Sequence, residues 1–394
     1  MPSASDQATA PATAAGGSDA AGVRFDRILK GVKLVALVVL GALVLAFPST
    51  ASDPFILSVG VVIASYAAFA VSWNFVGGFT GYISLGHAAY SGLGGYATAL
   101  LVLRLDLNPW VALVAGAAIV GILAVPIGIA SLRVRGASFV IVSIALVLIL
   151  LLMAQSWASL TGGAQGLRVP RPFGTEVLRP EQHERFFYIH VAFVAAALLL
   201  WWAIDRSRFG TGLKAIREDE DKAQALGVPT GAYKLTVFVM SAFLTAMAGG
   251  LYALWFGYLD PIFQFSILIG SYMVLMSLLG GIRSLFGPVL GAVVVGYSLE
   301  FFKVHYGDSQ FHLVALGLLL ALVVLFMPDG VLPALASLID RFRPKRTSIR
   351  EMTAEQLLEH NRRIDEQRAG ERSLETVPPS SDRTDGDRTE EEGR

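Results

Sequence analysis

Two places in this sequence hold side chains whose type and surroundings could do chemistry. The first is His87, the one clearly ionisable residue expected well inside an apolar run, in the stretch Gly81-Tyr82-Ile83-Ser84-Leu85-Gly86-His87-Ala88-Ala89-Tyr90-Ser91-Gly92. An ionisable group inside a membrane marks a functional site by default, yet a neutral imidazole can equally donate to a neighbouring helix and simply pack. The second is the charged block 207–235, with Arg217, Glu218, Asp219, Glu220 and Asp221 followed by Ala223, Ala225 and Gly227. The usual signatures of catalysis are missing. Gly92-Leu93-Gly94-Gly95-Tyr96-Ala97 fits the G-x-G-x-x-A spacing of dinucleotide sites but lacks the strand-turn-helix setting that gives the spacing its meaning. No G-x-x-x-x-G-K-[ST] loop occurs to cradle phosphates, and no nucleophile-base pair or His/Asp/Glu cluster lies on the apolar runs. The expectation is a chain that is not an enzyme, with no catalytic residue, cofactor or metal of its own.

The charged block is expected to fold as a short helix. Thr211 is the candidate N-cap, Gly227 stands where a left-handed C-terminal residue belongs, and Pro229 stops propagation. Leu213, Ile216, Ala223 and Leu226 offer a thin apolar stripe, with Lys214, Arg217, Glu218, Asp221 and Lys222 opposite. So little apolar surface cannot bury itself in lipid. Two readings stand: a docking helix for a soluble partner, or a solvated loop between spans.

The rest of the chain sets where this block sits. Its 394 residues are 54% hydrophobic and 16% charged, with no cysteine and a formal net charge of zero, which excludes a disulfide framework or thiolate metal site and gives no hint of nucleic acid. Apolar runs fall at 34–47, 55–76, 84–103, 110–132, 137–154, 187–204, 235–257, 265–280, 287–302 and 313–327. They predict an all-α polytopic membrane protein of about ten transmembrane helices. The first run, flanked by Ser49-Thr50-Ala51, could be a cleaved signal peptide; an uncleaved span is preferred because so many spans follow. Arg24 to Lys33 before it, then Arg133, Arg135, the 206–234 block, Arg283 and Arg341 to Arg346, all fall on one side if both termini are cytoplasmic. Residues 1–33 are expected to be a disordered tail, 34–346 the membrane domain, and 347–394 a polar tail holding one helix at 354–369.

Two segments are richer in glycine than spanning requires: 77–96, and 279–291 with Gly287 and Gly291. Small residues at such spacing let helix backbones approach closely, and Gly-interrupted segments at matching places also point to a substrate path. No span interior is expected to hold Asp or Glu, which ion-driven carriers usually need. Transport energy would then come from another polypeptide, through the charged block.

The stretch from Arg208-Phe209-Gly210 through Ala215-Ile216-Arg217-Glu218-Asp219-Glu220 to Ala225-Leu226-Gly227 and Tyr233-Lys234-Leu235 resembles the cytoplasmic coupling segment of branched-chain amino-acid ABC transporter permeases of the LivM type. Ser84-Leu85-Gly86-His87-Ala88-Ala89, Thr161-Gly162-Gly163, Ser241-Ala242-Phe243 and Leu285-Phe286-Gly287-Pro288 resemble that family in the same order, and the likeness covers residues 57–328. The resemblance implies an ABC importer permease architecture in the bacterial inner membrane. It also implies a second, LivH-like permease, two ATP-hydrolysing subunits, an extracytoplasmic solute-binding protein and a small-molecule substrate. Tyr82, Tyr90-Ser91, Leu148 and Arg283 depart from the family pattern, which leaves urea or short amides open beside leucine, isoleucine and valine. An ATP-independent secondary carrier or channel and a membrane scaffold are the alternatives from other classes.

Overall fold

The computed structural model describes residues 38–51, 53–174, 177–307 and 330–340 without interruption, with scattered positions within 31–35, 314–325 and 358–366. The expected tail at 1–33 apart from Gly31, most of the run at 313–327, residues 341–346 and most of the polar tail lie outside the described residues. Within the expected 354–369 helix, the described positions are helical.

Residues 35–341 form one body. In chain order it contains α1 (Val38–Thr50), α2 (Pro54–Thr80), α3 (His87–Leu105), α4 (Pro109–Ser131), α5 (Ala137–Ser156) and a single turn, α6 (Ala158–Thr161). There follow β1 (Leu167–Arg168), α7 (Arg179–Asp205), α8 (Arg208–Glu218), α9 (Glu220–Ala225), α10 (Thr230–Phe256), β2 (Tyr258–Leu259), α11 (Pro261–Gln264), α12 (Ile267–Gly280), α13 (Gly287–Tyr306) and α14 (Val331–Asp340). The two strands make one short antiparallel ladder, Leu167 opposite Leu259. The class is therefore all-α and polytopic. Among the described residues seven segments are long and apolar enough to cross a membrane: α2, α4, α5, α7, α10, α11 with α12, and α13. The expectation of about ten was loose. The first run appears as the shorter α1, and α3 is built from Gly, Ala, Ser and Thr as much as from long aliphatics.

Helix α2 is the axis of the bundle. Asp53 caps it, accepting from Phe55 N at 2.8 Å, with Pro54 at its first position, and it ends at Gly81 in the left-handed region, φ 74°. From Ala67 to Thr80 every residue is buried. Its hydroxyls are consumed locally, Ser65, Ser72 and Thr80 each donating to the carbonyl four residues back. Helices α7, α12 and α13 pack against α2, as does α10, which in turn carries α3 and α4; α5 touches its neighbours sparsely.

The crossing of α3 and α10 explains Gly94 and Gly95 of the first glycine cluster. A Cβ on Gly94 would collide with the backbone of Ala246, and one on Gly249 with the carbonyl of Ser91. Lipid tails are as apolar as the side chains, so close backbone approach supplies the dispersion contact that holds such helices together. Gly287 and Gly291 do the same where α13 meets α12, against Gly281 and the carbonyl of Met276. One expectation about charge fails: Glu300, near the end of the run at 287–302, stands inside α13, paired with Lys303 at 2.6 Å.

Gly94→Val is expected to cost about 3 kcal/mol or more through overpacking. Gly121→Ala, whose methyl would meet only Phe243 at 3.6 Å, should hold or raise stability, since alanine favours a helix by about 1 kcal/mol. Melting temperatures of the two variants in detergent check the contrast.

Candidate functional site

The charged block folds as two helices rather than one. Ser207, not Thr211, caps α8, accepting from Gly210 N at 3.0 Å. The helix stops at Asp219, whose extended backbone, φ −162°, restarts the chain as α9 while its carboxylate accepts from Asp221 N at 3.1 Å and Lys222 N at 3.0 Å. Those hydrogen bonds from Lys222, backbone and side chain, hold Asp219 below the usual carboxylate range, so the cap is ionised at neutral pH. After α9, Gly227 adopts φ 86°, the left-handed residue expected from the sequence.

The predicted apolar stripe is split by the fold. Leu213, Ile216 and Ala223 are buried within this chain, whereas Leu226 is 84% exposed. Ala223 therefore fills a space in its own protein, and the free surface of α9 is made by Asp221, Lys222, Gln224 and Ala225, with Leu226 and Gly227 just beyond. Glu218 is also exposed, facing Arg283 at 3.9 Å.

Two members of the block point inward. Arg217 donates from Nη1 to the carbonyl of Gly78 at 2.7 Å, at the C-terminus of α2, where unsatisfied carbonyls favour a cation. Burial, and then Arg283 nearby, lowers the pKa of its guanidinium from the ordinary value. Glu220 accepts from Tyr82 Oη at 2.9 Å and from Lys234 Nζ at 2.5 Å, with Arg135 Nη2 at 3.2 Å; Lys234 Nζ also donates to Tyr82 Oη at 3.1 Å. The side chains of Glu220 and Lys234 are only 12% and 6% exposed. Arg135 makes a second bond to Asp221 at 3.0 Å. Burial above all holds the Tyr82 phenol above its usual range, so it keeps a proton to donate. Sequence reasoning missed Tyr82, Lys234 and Arg135 as partners. The available signal was Lys234, a lysine that the helix start at Thr230 carries one turn into an apolar span.

The loop 81–86 re-enters the bundle. Trp73 Nε1 donates to the carbonyl of Ser84 at 2.6 Å, and Leu85 N to Ser143 Oγ at 3.1 Å. Ser84, Gly86 and Tyr90 line a cavity of about 290 Å³ between this loop, α4, α5 and α10, closed by Phe139, Phe238 and Ser131. The hydroxyls of Tyr90 and Ser131 are buried without a partner among the described residues. Apart from Ser84 and Ser143 the remaining walls are aliphatic and aromatic, so the space suits a small apolar group with one or two hydrogen-bonding points.

His87 lies beside this cavity rather than in its lining. Its Nε2 is 2.8 Å from Ser241 Oγ, and Ser241 donates its single proton to the carbonyl of Ser72 at 2.6 Å, so the imidazole must be the donor at Nε2. The residue thus ties α3 to α10 and, through Ser241, to α2. Gly92 lies against the ring of Phe265, and Gly287 and Gly291 serve the α12–α13 crossing. Of the eight residues 81, 84, 86, 87, 90, 92, 287 and 291 singled out from sequence, three line this cavity.

Comparison with known proteins agrees with this architecture. A family model described as the branched-chain amino acid transport system / permease component matches residues 55–327. The chain is 28% identical over 311 residues to the high-affinity branched-chain amino acid transport system permease protein LivM of Escherichia coli (strain K12), covering 71% of this chain and 72% of that protein. It is also 28% identical over 292 residues to the LivH permease protein of Salmonella typhimurium, covering 69% and 93%. A shorter match, 27% over 143 residues and 35% of this chain, is to the fructose import permease protein FrcC of Rhizobium meliloti, of which it covers 40%. No solved structure gives a significant match. With the family match running from α2 through α13, this multi-pass membrane protein belongs to the branched-chain amino acid transport system / permease component family.

Proposed function

We propose that this chain is one permease subunit of an ATP-driven importer for branched-chain amino acids or a related small solute, in the bacterial inner membrane with both termini cytoplasmic. It pairs with a LivH-like second permease, two ABC ATPase subunits that bind and hydrolyse the ATP, and an extracytoplasmic binding protein that delivers the solute. The observation that carries the reading is α9 with Leu226: a short helix at the basic end of the bundle, followed at once by a largely exposed leucine beside Asp221, Lys222 and Gln224. Burying such a side chain in a partner's groove is worth about 1.5–3 kcal/mol. Arg133, Arg135, Arg206, Arg208 and Arg283 lie at the same end, which supports its being cytoplasmic. The LivM and LivH relatives support branched-chain amino acids. The FrcC match, whose name refers to a sugar, bears on choice of solute: a shared permease fold does not determine it, and urea or short amides stay within the proposal. The family membership and the exposed α9 favour an ATP-coupled subunit over a secondary carrier or channel.

Two outcomes test this. Leu226→Asp should lower recovery of the ATPase subunits with this chain from detergent extracts, and uptake with it, by about tenfold, equivalent to 1.4 kcal/mol; wild-type recovery would leave α9 as an ordinary solvated turn. For orientation, the chain has no cysteine, so single introduced thiols are unambiguous. An impermeant maleimide should label Gly174→Cys in intact cells and Gln224→Cys only after permeabilisation; the reverse pattern would invert the topology.

A further inference from the structure

We propose that Tyr82, Lys234 and Glu220 form a latch through which the coupling segment holds the turn between α2 and α3 and thereby sets the shape of the cavity above it. This rests on the coupling role proposed for α8 and α9 and names the residues that would carry it. The segment grips the turn on both sides of Gly81. Arg217 on α8 holds the carbonyl of Gly78 before it, and Glu220 on α9 holds the hydroxyl of Tyr82 after it. Gly81 itself turns left-handed directly over the stem of Arg217, Cγ of which lies 3.2 Å from where a Cβ would be. Beyond these bonds α9 has the more exposed ion pairs of Arg135 with Glu220 and Asp221 and a single buried residue, Ala223, whose one methyl cannot define the position of a helix.

The polar grip is strong for a reason of place. Glu220 and Lys234 are desolvated, and a buried ion pair that loses one partner leaves an uncompensated charge. Tyr82 completes the set, accepting from Lys234 while donating to Glu220. Its ring stands edge-on to Phe139, centroids 5.1 Å apart, and Phe139 is a wall of the cavity. Two residues further on, Ser84 contributes to the same wall and is pinned by Trp73 of α2. A displacement of α9 is therefore passed along rigid links, Glu220 to Tyr82, then to Phe139 in one direction and to Ser84 and Gly86 in the other. The three latch residues are positioning residues: none is placed against the solute, and none is on the free face of α9.

The test uses the complete complex with both permeases, the ATPases and the binding protein, reconstituted in proteoliposomes with leucine as probe. The readouts are leucine transported per ATP hydrolysed and recovery of ATPase with the permeases. Tyr82→Phe keeps the ring on Phe139 and removes only the hydroxyl; Lys234→Met removes the charge; Lys234→Arg retains it. The first two should keep ATPase recovery near wild type and lower leucine per ATP by about tenfold, within the span of ordinary coupling free energies. Lys234→Arg should recover most of the loss. Unchanged leucine per ATP in Tyr82→Phe and Lys234→Met overturns the latch while leaving the importer reading intact. Uptake falling in strict proportion to ATPase recovery overturns it too, because the network would then only shape a docking surface. Lys234→Arg behaving as Lys234→Met likewise counts against it. A wild-type complex without binding-protein-stimulated ATP hydrolysis removes the importer reading, and the latch with it.

Discussion

Close backbone approach between helices is the constraint on which this bundle depends. In lipid there is no hydrophobic gain from bringing two apolar helices together, so the attraction must come from contact between surfaces that fit. Gly94 against Ala246, Gly249 against Ser91 and Gly291 against Met276 are such fits, each leaving no room for a methyl group. They fix α3 on α10 and α13 on α12, and with both pairs seated on α2 the remaining helices have little freedom. The same contacts bring Ser241 to Ser72 and His87 to Ser241, so that these polar groups bond to one another between the helices.

Helix α5 stands outside this scheme. It packs sparsely, and the space left between it, α4 and the re-entrant loop 81–86 is the cavity lined by Ser84, Tyr90 and Phe139. Two hydroxyls in that lining, on Tyr90 and Ser131, are buried and unpartnered among the described residues. Such groups are costly to leave unpaired in hydrocarbon. The floor of this cavity is a turn rather than a helix, and a turn held by a few directed bonds moves more readily than a packed helix.

At the basic end, charge does what packing does in the membrane. The α8–α9 segment has few apolar groups with which to bury itself, Leu213, Ile216 and Ala223 fully and Phe209 and Ala215 in part. Arg217 at the carbonyl end of α2 and Glu220 between Lys234, Tyr82 and Arg135 supply the rest. These bonds are directional, so they specify where the segment sits as well as whether it stays. What is left over, Leu226 and the outer face of α9, stays exposed.

Much of this was legible in the amino-acid order, because the physics behind it is local. The apolar runs, the Gly227 stop, the Gly-rich segments and the isolated charged block each follow from the neighbours of a residue along the chain, and together with the resemblance of ordered motifs they specified the class and family. The break at Asp219 was concealed because an Asp that caps a new helix and an Asp within an old one have the same neighbours. The sorting of the charged block was hidden for a different reason. Glu218 and Glu220 are nearly identical in sequence context, yet one is exposed and the other sits between a lysine 14 positions away and a tyrosine 138 positions away. Which of two like residues is a contact and which a surface depends on groups distant in the chain. Only the tertiary structure decided that, by bringing the start of α10 and the end of α2 to the same point, where burying a carboxylate demands that its partners be there.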